Sequence, residues 1–87
     1  MKTDIDMAEI LEEIRDELYL MKPSLSREME IHDHFKNKWG LDSLELVEYI
    51  ARLEHRFHVL IPDQDLEKCI SLNETALYLK GRLTPIS

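Results

Sequence analysis

Ser43 stands between an aspartate and a leucine in WGLDSLELVEYI, residues 39–50, with Gly40 just upstream. A serine hydroxyl is a poor nucleophile until a base takes its proton. The four histidines, His32, His34, His55 and His58, fall in a loop segment and at the far end of the apolar-rich stretch after Ser43. No Ser-His-Asp set assembles from that order, and no catalytic residue is assigned. A serine at a helix start has another use. Free N–H groups and the positive end of the helix dipole favour an anion there, so such a hydroxyl can bear a phosphate ester. Gly40 supplies an unusual φ or lets another backbone approach closely. On the physics of a helix start alone, an ordinary cap remains the favoured reading of Ser43.

Two further patterns touch metal chemistry. Asp63, Asp65, Glu67, Ser71 and Glu74 fall at positions 1, 3, 5, 9 and 12 of a calcium-loop template. The template needs glycine at position 6 for its sharp turn, and Lys68 stands there. Ser71 and Glu74 also form a capping box, which starts a helix inside the would-be loop. His32 with His34, and His55 with His58, lack the cysteine partners or HExxH context of a zinc site. No metal is expected, and Cys69 reads as a small core residue.

The elements that must position Ser43 follow from periodicity. Met7, Ile10, Leu11, Ile14, Leu18 and Met21 recur at helical spacing, with acids on the other face. This predicts a helix over about 5–21, capped by Asp4 or Asp6 and ended by Pro23. A long connection follows to Asp42, and connections of that length are often functional. Ile31, Phe35 and Trp39, spaced by four, are expected to pin it to the core. Asp42 and Glu45 form a capping box that opens a second helix over about 43–57. Pro62 and Asp63 open a short helix over about 63–69. Leu72, Ala76, Leu77, Tyr78 and Leu79 support a last helix over about 72–80, with Gly81 placed to end it. The fold class is therefore all-α: a small four-helix bundle with a long loop between the first and second helices and a short third helix.

The second helix carries two apolar stripes. Leu46, Ile50, Leu53 and Phe57 form the core face, bordered by Tyr49. Leu44, Val47 and Ala51 lie roughly 130° away at about 100° per residue, flanked by Glu48 and Glu54. A domain this small has no second core to cover that side. Two readings stand in balance: a partner site edged by acids, or ordinary scattered exposure.

The 87 residues suit one small domain with little room for a deep catalytic cavity. The net charge of −7 opposes nucleic-acid binding and favours basic partner surfaces. A single cysteine allows no intramolecular disulfide and fits a reducing compartment. Acids stand where a signal peptide would be apolar, and no stretch reaches the ~18 apolar residues of a membrane span. A cytoplasmic protein without a membrane span is expected, and a monomer.

The array FKNKWGLDSLELVEYIARLEHRF followed by VLIPDQD resembles the acyl carrier proteins. Phe35, Gly40, Asp42, Ser43, Leu44, Glu45, Val47, Glu48, Leu53, Glu54, Phe57, Ile61, Pro62 and Asp63 match that family's pattern in order and without a gap. The resemblance covers nearly the whole chain. It implies that Ser43 receives 4′-phosphopantetheine covalently from coenzyme A, through a separate phosphopantetheinyl transferase (a holo synthase) with Mg²⁺. Acyl groups would then ride on the arm's thiol between enzymes such as ketosynthases and acyltransferases, and the carrier would catalyse nothing. Leu46, Ile50, Leu53 and Phe57 would line the interior where an acyl chain shelters. Asp42, Leu44, Glu45, Val47, Glu48, Ala51 and Glu54 would meet partners.

Some positions differ from the family pattern. Lys38 and Trp39 replace an acid and a leucine, Lys36 lies nearby, and Ala51 stands for a methionine. His55 and Arg56 replace acids, and His58 replaces a glycine, a place where histidine tolerates a left-handed backbone better than most residues. The pathway implied is fatty-acid or specialised lipid or polyketide-type biosynthesis, and these changes favour the specialised route. The contrasting reading is an unmodified module that docks partners through its second helix.

Overall fold

The computed structural model describes residues 6–83. Helix α1 spans Met7–Met21, α2 spans Ser43–Phe57 and α3 spans Leu72–Leu83, with a 3₁₀ turn at Asp63–Lys68 between the last two. No strand occurs among the described residues, so the expected all-α arrangement with a long first loop and a short third helix is what forms.

Asp6 is the cap of α1, and the Glu9 carboxylate reaches back to its N–H at 3.4 Å. Asp4 and the expected start at residue 5 lie outside the described residues. Ile10, Ile14 and Leu18 follow one stripe and are fully buried. Helix α1 packs against both α2 and α3. Leu46, Tyr49, Ile50 and Leu53 meet it from α2, and Leu72, Ala76 and Leu79 from α3. Each such Leu or Ile side chain contributes about 1.5–3 kcal/mol on leaving water.

The core face of α2 is rotated slightly from the expected one. Tyr49 lies at its centre with no exposed surface, while Phe57 is only partly buried. Tyr49 can occupy the core because its polar end is satisfied: its hydroxyl donates to the Ile14 carbonyl at 2.7 Å. Phe35 from the loop packs edge-on against its ring, with centroids 5.7 Å apart.

The long loop is held at more points than the expected three. Leu25, Met29, Phe35 and Leu41 are buried, whereas Ile31 and Trp39 are partly so. The Phe35 N–H donates to the Ile70 carbonyl and the Asn73 N–H to the Ile31 carbonyl, both at 2.8 Å. These bonds tie the loop to the entrance of α3. From His34 to Gly40 the chain makes one helical turn, with Lys38 N–H to His34 O at 2.9 Å and Gly40 N–H to Lys36 O at 3.1 Å. The His34 Nδ1 caps this turn by accepting the N–H groups of Lys36 and Asn37, each at 3.2 Å. Gly40 then takes φ +72°, and a Cβ there would meet nothing within 4 Å. It supplies an unusual φ, not a close approach.

His58, at φ 56°, ends α2 in the left-handed region. The Val59 N–H returns to the Glu54 carbonyl at 3.2 Å, the long bond of a Schellman motif. Glu54 also accepts the Ile61 N–H on its carboxylate at 2.7 Å, which fixes the turn into Pro62.

Gly81 does not end the last helix; α3 continues through it to Leu83. An exposed helical glycine costs only about 1 kcal/mol. Against this, the extra turn places Arg82 where its guanidinium reaches Asp65 at 3.1 Å and the Tyr78 hydroxyl at 2.7 Å. The third helix is also shorter and tighter than expected, a 3₁₀ turn closed by Asp65 N–H to Pro62 O at 2.8 Å and Cys69 N–H to Leu66 O at 3.0 Å.

Candidate functional site

Ser43 is the first residue of α2 and is exposed. The cap belongs to its neighbour. Asp42 Oδ1 accepts the Glu45 N–H at 2.7 Å, and the Glu45 carboxylate accepts the Asp42 N–H at 3.0 Å. The first N–H groups of a helix have no intrahelical acceptor, so Ser43 and Leu44 present theirs at the positive end of the dipole. The Ser43 hydroxyl makes one contact among the described residues: the Lys36 ammonium donates to its Oγ at 3.4 Å. An ammonium in this donor role does not remove the hydroxyl's proton.

The acids beside Ser43 have internal duties. Lys22 reaches across from the end of α1 to Glu45 at 2.7 Å. That hydrogen bond, followed by the one from the Asp42 N–H, holds the Glu45 carboxyl below its ordinary value. Glu54 anchors the Ile61 N–H at 2.7 Å. Glu48 is exposed and meets Arg52 at 3.4 Å. Arg52 and Arg56 turn mainly toward α1, pairing with Glu17 at 2.9 and 3.0 Å. Leu44 is 81% exposed and Val47 50%, and Ala51 is exposed beside them. The second apolar stripe of α2 therefore faces outward, uncovered by the other described residues.

Beside Ser43 lies a groove of about 420 Å³. Leu46 and Val47 line it from α2, Leu66, Glu67 and Ile70 from the 3₁₀ region, and His34, Lys36 and Asn37 from the helical turn of the loop. Sequence reasoning brought Ser43, Leu46 and Val47 to this end of the molecule. It missed the Lys36 contact and the wall from Leu66 to Ile70. Both depend on how the loop and the 3₁₀ turn fold back, and no local periodicity records that.

The other chemistry-bearing residues are employed elsewhere. Asp65 is buried and accepts hydrogen bonds from Tyr78 and Arg82; the Tyr78 bond is the chief cause that lowers its carboxyl. Ser71 caps α3 through the Glu74 N–H at 3.1 Å. Two of the would-be calcium ligands, Asp65 and Ser71, are thus engaged in separate tasks, and no group of three or more His, Cys, Asp or Glu among the described residues could hold a metal. Cys69 is fully buried, and burial pushes its thiol up to about 11. No helix among the described residues is long and apolar enough to cross a membrane.

The chain matches the family model described as "Phosphopantetheine attachment site" over residues 8–79. It is 32% identical over 73 residues to the acyl carrier protein of Campylobacter hominis, covering 84% of this chain and 92% of that one. The acyl carrier protein of Clostridium acetobutylicum is 35% identical over 54 residues, 62% of this chain and 70% of its own. That of Campylobacter fetus subsp. fetus is 45% identical over 42 residues, 48% of this chain and 54% of its own.

Proposed function

Since the chain belongs to the acyl carrier protein family, we propose that Ser43 is its attachment point for 4′-phosphopantetheine. Family members carry this group covalently and are carriers, not catalysts. The observation that carries the assignment is the division of labour at the start of α2. Asp42 does the capping, and the exposed Ser43 hydroxyl is left over at the anion-favouring end of the helix.

The residues present fit the group. The open N–H groups of Ser43 and Leu44, with the Lys36 ammonium, would hold a phosphodiester on Oγ. The groove supplies Leu46, Val47, Leu66 and Ile70 as an apolar bed. When bound, the arm supplies a thiol whose ordinary pKa of about 8.5 suits thioester exchange. The chain's own thiol cannot serve, because Cys69 is buried and titrates near 11. In the loading step Ser43 Oγ forms the new P–O bond and the diphosphate bond of coenzyme A breaks. The adenosine bisphosphate half would leave, and the hydroxyl proton would pass to a base on the transferase, since no base among the described residues hydrogen-bonds Oγ.

Partners are taken to dock on the outer strip of α2. Leu44, Val47 and Ala51 supply apolar contact, and Asp42, Glu45, Glu48 and Glu54 supply charge. Glu45 and Glu54 also keep the helix ends in shape while doing so. The partners are a phosphopantetheinyl transferase and acyl-processing enzymes such as ketosynthases and acyltransferases. An acyl chain leaving the groove would pass Leu46 toward Ile50, Leu53 and Phe57. The pathway is fatty-acid or specialised lipid or polyketide-type synthesis in the cytoplasm. Lys36 beside Ser43, with Lys38 two residues on in the same turn, favours a dedicated set of enzymes.

The test is intact mass after incubation with coenzyme A and a broad-specificity transferase. One phosphopantetheine on the wild type and none on Ser43→Ala is expected. No gain, or a gain that survives Ser43→Ala, overturns the assignment. Partner binding unchanged in Ser43→Ala, with function intact in cells, would instead support an unmodified docking module.

A further inference from the structure

The contact between Lys36 and Ser43 has a use that a hydroxyl does not explain. The Lys36 side chain is exposed, and its ammonium sits 3.4 Å from Ser43 Oγ. Lys22, Lys68, Arg52, Arg56 and Arg82 each lie within salt-bridge distance of a carboxylate. Lys36 has no such partner among the described residues; a neutral hydroxyl is what it meets. At 3.4 Å between two exposed side chains, that bond is long and open to water, and it gains little.

The backbone beneath Lys36 is fixed all the same. Its N–H is bonded to His34 Nδ1 at 3.2 Å and its carbonyl to the Gly40 N–H at 3.1 Å. The adjacent Phe35 is fully buried, with its N–H on the Ile70 carbonyl at 2.8 Å. A rigid turn therefore delivers a flexible cation to one atom of α2.

We infer that Lys36 clamps the phosphodiester of the arm once Ser43 is modified. This rests on the reading of Ser43 as the attachment point. Phosphorus is one bond beyond Oγ, so the non-bridging oxygens come within reach of Nζ without a change in the loop. They carry a full negative charge, and the neutral acceptor becomes an ion pair with charge-assisted hydrogen bonds. The helix N–H groups and Lys36 would then share the phosphate. Lys36 is then a positioning residue: it lays the first part of the arm along the groove of Leu46, Val47, Leu66 and Ile70. A partner that draws the arm into its own site must first displace Lys36, which makes release sensitive to salt.

The test loads wild type, Lys36→Gln and Lys36→Arg to completion, confirmed by intact mass, and then records ³¹P spectra. The wild-type phosphodiester is expected to relax faster than that of Lys36→Gln, with the clamped state favoured roughly two- to fivefold, the range of exposed ion pairs. Raising salt to roughly 1 M, where the screening length falls to about 3 Å, should move the wild-type resonance to that of Lys36→Gln. Lys36→Arg should keep the wild-type signature. Identical relaxation and salt response in wild type and Lys36→Gln would overturn the clamp while leaving attachment at Ser43 intact. A wild-type chain that gains no mass would overturn the attachment and the clamp together.

Discussion

Asp42 and Glu45 close the first turn of α2 on each other, the Asp42 Oδ1 taking the Glu45 N–H at 2.7 Å and the Glu45 carboxylate taking the Asp42 N–H at 3.0 Å. Ser43, between them in sequence, takes no part in this exchange. The cap and the hydroxyl can therefore be separated by mutation. Asp42→Ala should lower the unfolding free energy by about 1 kcal/mol, the usual worth of an N-cap. Ser43→Ala should stay within about 0.5 kcal/mol of wild type, as for an exposed substitution. Urea titrations of both variants check this; equal losses would make the hydroxyl structural.

Tyr49 joins α2 to α1 through the middle of the bundle. Tyr49→Phe keeps the ring against Phe35 and removes the 2.7 Å bond to the Ile14 carbonyl. A loss of about 1 kcal/mol is expected, as for one net hydrogen bond. Tyr49→Ala also leaves a cavity, and about 3–5 kcal/mol should go. Against the roughly 5–15 kcal/mol of a native protein, chemical denaturation should then show a large share of the stability gone. A Tyr49→Phe protein as unstable as Tyr49→Ala would mean that the hydroxyl, not the packing, holds the pair.

Gly40 and His58 share a left-handed backbone, at φ 72° and 56°. Gly40→Ala meets no atom within 4 Å, so its cost is the backbone strain alone, about 1–2 kcal/mol. His58→Gly relieves the same strain, offset by the greater freedom of glycine in the unfolded chain. It should be neutral or stabilising by up to about 1 kcal/mol. Thermal midpoints resolve these differences, at about 4–8 °C per kcal/mol for a domain of this size.

Acid should destabilise the fold in a defined direction. Asp65 is held low chiefly by the Tyr78 hydroxyl, Glu45 by Lys22, and Asp33 by the Glu30 N–H and then the Trp39 indole. Each carboxyl binds its proton more weakly folded than unfolded. Their contribution is therefore full above about pH 4.5, the unfolded range, and is lost as pH falls through the lower folded values. Denaturation from pH 7 to pH 2 should show this slope, and Asp65→Asn should flatten it. Cys69 acts at the other end. Burial raises its folded thiol to about 11, above the ordinary thiol range, so stability should also fall as pH rises through that range toward 11. A flat acid limb in the wild type would contradict the hydrogen-bonded carboxylates.

The helices were legible in the sequence because their signals are local. The Asp42–Glu45 box, the α1 stripe through Ile10, Ile14 and Leu18, and the exposed stripe of Leu44, Val47 and Ala51 all lie within one element. The errors came where distant residues decide. Gly81 looked like a stop, but Arg82 gains Asp65 and Tyr78 by letting the helix continue. Tyr49 looked like a border residue, but the Ile14 carbonyl accepts its hydroxyl and brings the ring inside. Leu25, Met29 and Leu41 pin a loop with no period to reveal them. At the site, Ser43 was visible from its flanking array. Lys36 read only as a departure from the family pattern; the turn from His34 to Gly40 is what brings it to Oγ.

The central claim is that Ser43 carries a phosphopantetheine arm in the living cell. Tandem mass spectrometry of the protein purified from the cells that make it tests this most directly, because it reads both the modification and its position. The account predicts a peptide spanning Ser43 that bears a phosphodiester-linked pantetheine and ejects it on fragmentation. The same peptide found entirely unmodified, or the group found on another residue, would contradict it.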